Sequence, residues 1–281
     1  MFMRHFVGGI GLAIGTLAAP AQAQSEDLDA LIAFLRIDDT VEIMRAEGQE
    51  YANELAVDML GGVNASWQAT VDAIYDAGTM ESSVTRGFRE AIDPEAVGPL
   101  LAFFESDLGR EVVALEIGAR EALLDEAIEE AARAEYRELT GTGDPKLQLT
   151  GDPKLQLIER FIDANDLIEQ NVTGALNASY AFYSGLSEGG ALQLSEEEML
   201  DDIWSQEEAT RSDTEEWVWG YLMMAYGPLS EDELSEYVAL SESAAGEALN
   251  KALFAGFNAM YDEISYAMGL GAAVEMAGTD L

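Results

Sequence analysis

Carboxylates are the only acid–base groups that this sequence supplies in number. The 281 residues include 54 aspartates and glutamates, one histidine and no cysteine. The histidine, His5, lies in a segment that we predict to be removed on export. Without imidazole or thiol groups the chain cannot form a Ser-His-Asp triad, a Cys-His pair, a histidine zinc site or a Glu-x-x-His di-iron bundle. The sequence therefore assigns no catalytic residue, no metal ligand and no cofactor.

One enzyme class that works with carboxylates alone is the lytic transglycosylases, helical proteins in which the catalytic Glu is followed by Ser. The pairs Glu105-Ser106 and Glu242-Ser243 match those two letters. The Gly-Leu-Met-Gln-like segment that follows in that class is missing after Ser106. Glu105 would also need an apolar cleft that raises its pKa before it could serve as a general acid. A carboxylate-only enzyme that cleaves cell-wall glycan is therefore an alternative function, and the sequence favours a protein that is not an enzyme.

A run of acids in the second half of the chain raises the question of cation binding. Ser195–Asp202 carries five carboxylates but lacks the Asp-x-Asp-x-Asp-Gly loop that positions calcium ligands in an EF-hand. Acids in this pattern are typical of the first turn of a capped helix, where they interact favourably with the helix dipole. A low-affinity divalent-cation binder is therefore a second alternative function.

Aromatic and thioether side chains crowd one segment, which we predict to be a helix over Asp213–Tyr226. The candidate binding residues in it are Trp217, Trp219, Tyr221, Met223 and Tyr226. Helical spacing spreads them over more than one face, so the helix is apolar nearly all round. This pattern favours a buried central helix, and the alternative is an exposed aromatic stripe that binds a partner. If any surface of this chain is a binding site, we expect it to be this one.

The elements that must position these residues are helices. Apolar residues recur at helical spacing, as in Leu28, Leu31, Ile32 and Leu35. Capping boxes predict helix starts at Asp39 with Glu42, Asp166 with Glu169, Ser195 with Glu198, Ser212 with Glu215, and Ser230 with Glu233. Breaks are predicted at Gly61-Gly62, Asp93-Pro94, Gly189-Gly190 and Gly227-Pro228. Since no run of alternating β-branched residues competes with this pattern, the predicted fold class is all-α.

The first residues have the three regions of a secretory signal peptide. Arg4 precedes an uncharged apolar run over Val7–Ala19, and Ala21–Ala23 matches the A-x-A cleavage site. We predict a signal peptide over residues 1–23 and a mature chain that begins at Gln24. No later stretch has the roughly 18 apolar residues of a transmembrane helix. The expected location is the periplasm, with secretion as the less favoured alternative.

The net charge of −40 limits the partners that this chain can attract. Such a surface repels nucleic acid and anionic lipid headgroups, and it attracts cations and basic protein surfaces. A dense acidic shell with only three lysines is also typical of proteins that work in salty water, where self-repulsion is screened. We therefore expect no nucleic acid among the partners, and an envelope protein is the partner that the sequence favours.

The chain also contains an internal duplication. The octapeptide Thr142–Leu149 is repeated at once as Thr150–Leu157, a pattern that indicates a lengthened linker. On either side of it, Phe34–Glu42 parallels Phe161–Glu169 in residue type. We predict two diverged helical-bundle repeats, over 24–140 and 158–281, joined by a linker over 141–157.

A second parallel between the halves centres on a short Ser-x-x-Gly joint. Ser106 and Gly109 form it in the first half, and Ser243 and Gly246 form it in the second. We expect each serine to cap the following helix and each glycine to allow a close approach of two backbones. These four residues are therefore predicted to be structural.

The stretch Asp93–Val113 contains an acid-rich helix start, an aliphatic helix, an aromatic pair and the Ser-x-x-Gly joint. It resembles the periplasmic proteobacterial family catalogued as domain of unknown function 2059. The resemblance is best over residues 92–134, and a diverged copy near 229–265 has Leu240 and Ser241 in place of the aromatic pair. The resemblance implies a small exported helical module and supplies no catalytic residues. The expected function is therefore that of an exported helical binding module of the periplasm.

Overall fold

The computed structural model describes residues 18–141 and 151–279, with side chains from Ser25 onward, and this part of the chain forms helices and no strand. The all-α prediction is therefore confirmed. The helices are α1 (Ala18–Leu35), α2 (Ile37–Leu60), α3 (Ala65–Ile74), α4 (Ala77–Ala91), α5 (Pro94–Phe104), α6 (Asp107–Ala122), α7 (Glu126–Thr140), α8 (Pro153–Ala164), α9 (Leu167–Glu188), α10 (Glu196–Ser205), α11 (Glu207–Tyr226), α12 (Glu231–Ser241) and α13 (Ala244–Thr279).

Two sequence predictions fall wholly or largely outside the described residues. These are the charged and apolar regions of the signal peptide, up to residue 17, and the first octapeptide of the duplicated linker. None of the helices in the part of the chain that the structure describes is both long and apolar enough to cross a membrane.

The helix starts follow the predicted capping boxes in two places. At Ser195 and at Ser230 the serine hydroxyl accepts from the backbone N–H of the glutamate three residues later, and that glutamate reaches back to the serine N–H. These reciprocal bonds satisfy N–H groups that have no partner within the helix. The four predicted breaks also separate consecutive helices.

Three of the predicted capping boxes are wrong. Ser212 lies inside α11, which already begins at Glu207. Asp39 is the third residue of α2, because that helix starts directly after Arg36, which has a left-handed backbone with φ 49°. Asp166 does precede α9, but it also has φ 49°, and its side chain makes no capping hydrogen bond. The sequence pattern could not show these left-handed residues, because neither is a glycine.

The longest helix, α13, packs against α2, α3, α4, α5, α9 and α12, and its most extensive contacts are with α9 and α4. Glycines bring α9 and α13 together: a Cβ atom added at Gly185 would lie 2.2 Å from the Tyr266 carbonyl oxygen, and one at Gly269 would lie 2.1 Å from that of Phe182. The two backbones therefore touch, which fixes the position of α13 relative to its neighbours.

Both hydrophobic cores of the described residues draw on both halves of the chain. One core joins Phe88 and Val112 to Tyr226 and further residues of α8, α11 and α12. The other joins Trp67 to Met260 and their neighbours. Accordingly α4 packs on α13, and α11 packs on α6 and α7. The two halves therefore interpack, and neither buries a core of its own.

The serine joints have the same geometry in each half. Ser106 Oγ accepts from Gly109 N at 3.0 Å, and Ser243 Oγ accepts from Gly246 N at 3.2 Å. A Cβ atom on either glycine would lie 2.2 Å from the carbonyl oxygen three residues before the serine. Each joint therefore turns the chain tightly from an 11-residue helix, α5 or α12, into the helix that follows it.

Candidate functional site

A cavity of about 730 Å³ lies among α2, α6, α9, α11 and α13. Its size is within the range of small-molecule sites, roughly 300–1,000 Å³. The polar and aromatic side chains on its wall include Glu47, Glu116, Arg120, Asn165, Asn171, Trp217, Tyr221, Tyr226, Tyr237, Asn250, Asn258 and Tyr261. The site is thus assembled from both halves of the chain.

Glu116 is an acid on this cavity wall that accepts hydrogen bonds from two tyrosine hydroxyls. It lies on α6 four residues after Val112 and three before Ala119, both buried, so the helix turns it toward the protein interior. The Tyr226 hydroxyl donates to Glu116 Oε1 at 2.7 Å, and the Tyr237 hydroxyl donates to the same oxygen at 3.1 Å. Oε2 takes part in neither bond. One carboxylate oxygen is therefore fixed and the other remains for a further donor.

Burial raises the pKa of Glu116 above its ordinary value, and the hydrogen bonds from the two tyrosines act in the opposite direction without cancelling it. A carboxyl with a raised pKa in a cavity is a candidate for proton transfer or for pH-dependent binding. Burial and the Glu116 charge raise the pKa values of Tyr226 and Tyr237 well above their ordinary range. Both hydroxyls therefore stay protonated and keep donating.

Aromatic packing holds the two donor rings in place. Tyr226 and Tyr237 meet edge to face with their ring centroids 5.9 Å apart, and Phe161 contacts both, at 5.3 Å and 5.1 Å. Aromatic pairs in this arrangement are attractive beyond the area that they bury. A ligand therefore meets donors and a carboxylate that are positioned before it arrives.

Arg120 and Glu47 form an ion pair on another part of the wall. Arg120 Nε donates to Glu47 Oε1 at 3.1 Å and Nη2 donates to Oε2 at 2.8 Å, a bidentate geometry. The guanidinium also lies over the Trp217 ring, 5.6 Å from its centroid, and Trp217 stacks on Tyr221 at 5.2 Å. A carboxylate and an aromatic face thus hold an internal cation here.

The lining of this cavity is strongly acidic. Its glutamates are Glu47, Glu50, Glu54, Glu116, Glu126 and Glu129, whereas Arg120 is the only basic residue on the described wall. Glu50, Glu54 and Glu126 are exposed, so their charge faces the solvent at the rim. A concave surface of one charge sign concentrates ligands of the opposite sign. The cavity therefore favours cations over anions.

A second cavity, of about 630 Å³, adjoins the first between α2, α9 and α13. Met44, Glu47, Tyr51, Asn171, Asn258 and Tyr261 line both cavities. The rest of the second wall, over the described residues, carries no charged residue and contains the apolar Met80, Phe182, Met260, Ile264 and Met268 beside the polar Tyr75, Tyr183 and Gln206. The two spaces are therefore neighbours with a shared boundary, and they differ in the number of charged groups on their walls.

The five aromatic and methionine residues singled out by the sequence lie inside the fold. Trp217, Tyr221 and Tyr226 line the first cavity. Trp219 is 7% exposed and stacks on Tyr136 with the ring centroids 5.6 Å apart, and Met223 is half-buried beside the core. This is the arrangement of the buried central helix, and the exposed tryptophan of the second half is instead Trp204 on α10, which is 64% exposed.

The Glu-Ser pairs lie at the protein surface. Glu105 is exposed at the end of α5 and lines none of the cavities described above. Glu242 is exposed as well and forms a bidentate pair with Arg160, at 2.8 Å in its shortest contact. Both serines serve the helix joints. Glu105 therefore lies outside both cavities, whereas Glu116, which no sequence motif marks, lines one of them.

The acid run near residue 200 forms the exposed first turn of α10 behind the Ser195 cap. Over residues 18–141 and 151–279 no three acidic side chains come together in a group that could hold a metal ion. No observation in the described residues therefore supports the divalent-cation alternative.

No family model, no curated protein and no solved structure matches this chain. Its function is therefore argued from the cavity itself.

Proposed function

We propose that this protein is an exported helical binding module of the periplasm and that it binds a small organic cation in the cavity beside Glu116. The observation that carries the proposal is the Glu116 carboxylate, fixed by Tyr226 and Tyr237 on the wall of a ligand-sized space. An ammonium or guanidinium group would donate to Oε2, which the tyrosines do not use. The predicted signal peptide and the resemblance of residues 92–134 support an exported module.

Aromatic rings next to carboxylates are a suitable environment for a positive charge. The internal guanidinium of Arg120 already combines a bidentate bond to Glu47 with the face of Trp217. A cation over an aromatic face gains about 0.5–2 kcal/mol, depending on how far it is desolvated. Tyr221, stacked on Trp217, extends this aromatic surface toward Glu116, whose carbonyl accepts from the Tyr221 hydroxyl at 3.2 Å. A ligand cation would meet the same kind of surroundings as Arg120.

The proposal can be tested with three probes that share a phenyl ring and differ in charge. Isothermal titration calorimetry would compare benzylammonium, benzyl alcohol and benzoate with the mature protein. We expect benzylammonium to bind most tightly and benzoate not to bind. Glu116→Gln should weaken benzylammonium binding roughly ten- to hundredfold, because a hydrogen bond to a charged group contributes about 1.5–3 kcal/mol.

Glu105→Gln is the matched control for that variant. It makes the same chemical change on an exposed helix end outside the cavities, so we expect the affinity of the parent protein. Equal binding of the amine and the alcohol would contradict the proposal, as would an equal loss in both variants.

Export has a separate test. Fractionation of cells that produce the full chain should place the protein in the periplasm, and intact-mass spectrometry should find Gln24 at the N-terminus. Retention in the cytoplasm with residues 1–23 still present would contradict this part of the proposal.

A carboxylate-only enzyme that cleaves glycan is the second candidate, and the raised pKa of Glu116 in a cavity is the observation that favours it. Its assay is the release of soluble fragments from purified cell-wall sacculi. Cleavage by the parent protein and by Glu105→Gln, but not by Glu116→Gln, would support the enzyme. No release by any of the three would leave the binding module as the function.

A further inference from the structure

We infer that the ligand is a cationic amphiphile whose apolar tail lies in the methionine-lined second cavity while its charged head lies at Glu116. This inference rests on the proposed function and adds a chemical class to it. Two neighbouring spaces, one bordered by six glutamates and the other by Glu47 alone among the described charged side chains, would then hold the two ends of one molecule.

The geometry of the boundary between the cavities is the first support. Glu47, Tyr51 and Tyr261 are polar residues that line both spaces. Tyr51 is 53% exposed and Tyr261 is 36% exposed, so the junction is not sealed by packed side chains. A molecule in the first cavity therefore has the second cavity directly beside it.

The chemistry of the second wall is the other support. Met80, Met260 and Met268 are each at most 2% exposed, yet they border an open space of about 630 Å³. Methionine is unbranched and flexible, so a wall of methionines adapts to a chain that has no fixed shape. On the opposite side α9 contributes the small residues Ala175 and Ala178, which leave that space unfilled. These features suit an alkyl chain better than a rigid polar group.

The test is a series of probes with one head and tails of increasing length. Calorimetry would compare methylammonium, butylammonium and octylammonium, whose heads can all donate to Glu116 Oε2, with the mature protein. Each methylene that enters an apolar space should raise the affinity about fourfold, the ratio that corresponds to roughly 0.8 kcal/mol. A flat series would overturn the inference while leaving the proposed cation site intact.

Two variants locate the tail. Ala178→Phe places a ring in the second cavity, so we expect it to abolish the dependence on chain length and to keep the affinity for methylammonium unchanged. Ala175→Phe fills the same space from the preceding turn of α9 and replaces Ala178→Phe in the experiment if that variant does not fold. Ala46→Phe, at an exposed position of α2 that lines neither cavity, is the control and should behave like the parent protein.

A probe without a charged head separates the two proposals. If 1-octanol binds and Ala178→Phe abolishes its binding, while no alkylammonium probe binds, then the cation head is wrong and with it the amphiphile. If methylammonium binds and Ala178→Phe leaves the gain from the octyl chain unchanged, the tail lies elsewhere and the inference fails. Loss of that gain in Ala178→Phe but not in the control Ala46→Phe supports the inference.

Discussion

Replacing Tyr226 with phenylalanine tests whether Glu116 is charged and how much its hydroxyl donors contribute. The substitution removes one oxygen from a fully buried ring, so the packing against Phe161 is kept. The lost bond, 2.7 Å long, ends on a carboxylate. A hydrogen bond to a charged group contributes about 1.5–3 kcal/mol, whereas one between neutral groups contributes about 0.5–1.5 kcal/mol. Where Glu116 is ionised, we expect Tyr226→Phe to lower the free energy of unfolding by about 2 kcal/mol.

The pH dependence of that loss follows from the pKa of Glu116. Burial raises this pKa in the folded protein, so ionisation of Glu116 costs stability as the pH rises from its unfolded pKa through its folded pKa. The tyrosine bonds lower the pKa and offset part of this cost, so their charge-assisted contribution is present above the folded pKa and is lost as the pH falls through it. The difference between the parent protein and Tyr226→Phe should therefore shrink to about 1 kcal/mol in acid.

Urea unfolding followed by tryptophan fluorescence, from about pH 8 down to about pH 5, measures this difference directly. Glu116→Gln supplies the control, because a neutral amide still accepts from Tyr226 but does not titrate. In that background the effect of Tyr226→Phe should be the same at every pH. If the loss in the parent background were equally independent of pH, the interpretation of Glu116 as a titrating acceptor would be refuted.

Three further predictions concern the helices and the surface. Gly109→Ala should destabilise the protein by about 1–3 kcal/mol, because the added Cβ would lie 2.2 Å from a carbonyl oxygen. Gly118→Ala on the same helix is the control: its Cβ would have nothing within 4 Å, so it should stabilise the protein by about 0.5–1 kcal/mol. Thermal or urea unfolding measures both changes. Arg120→Met should lower the free energy of unfolding by about 3 kcal/mol, because it leaves Glu47 half-buried without its partner. Arg89→Met breaks an exposed pair, so it should lower the free energy of unfolding by less than about 1 kcal/mol. Sodium chloride should raise the melting temperature of a chain of net charge −40, and a larger rise with calcium chloride at equal ionic strength would instead favour the divalent-cation binder.

The elements of this fold were predictable because their signals are local. Helical spacing, the Gly-Gly and Asx-Pro breaks and the boxes at Ser195 and Ser230 depend on residues within a few positions of one another. The same local reasoning failed at Arg36 and Asp166, which have left-handed backbones and each join two consecutive helices. It also gave no indication that the two halves share their cores, because α4 and α13 are far apart in the sequence and contact each other only in the folded chain.

The cavity was beyond sequence reasoning for a related reason. Glu116 is one of 54 acids, and its only local mark is its place among the buried positions of α6, between Val112 and Ala119. An acid at an apolar position of a helix is expected to have a partner, but the partners here, Tyr226 and Tyr237, follow more than 100 residues later. The aromatic segment was noticed for its density, and its residues have two roles: Trp219 and Leu222 fill the core, and Tyr226 donates to the half-buried Glu116 carboxylate. In an acidic chain whose one histidine lies at position 5, an acid on the inward face of a helix is therefore a better guide to a site than a Glu-Ser pair on the surface.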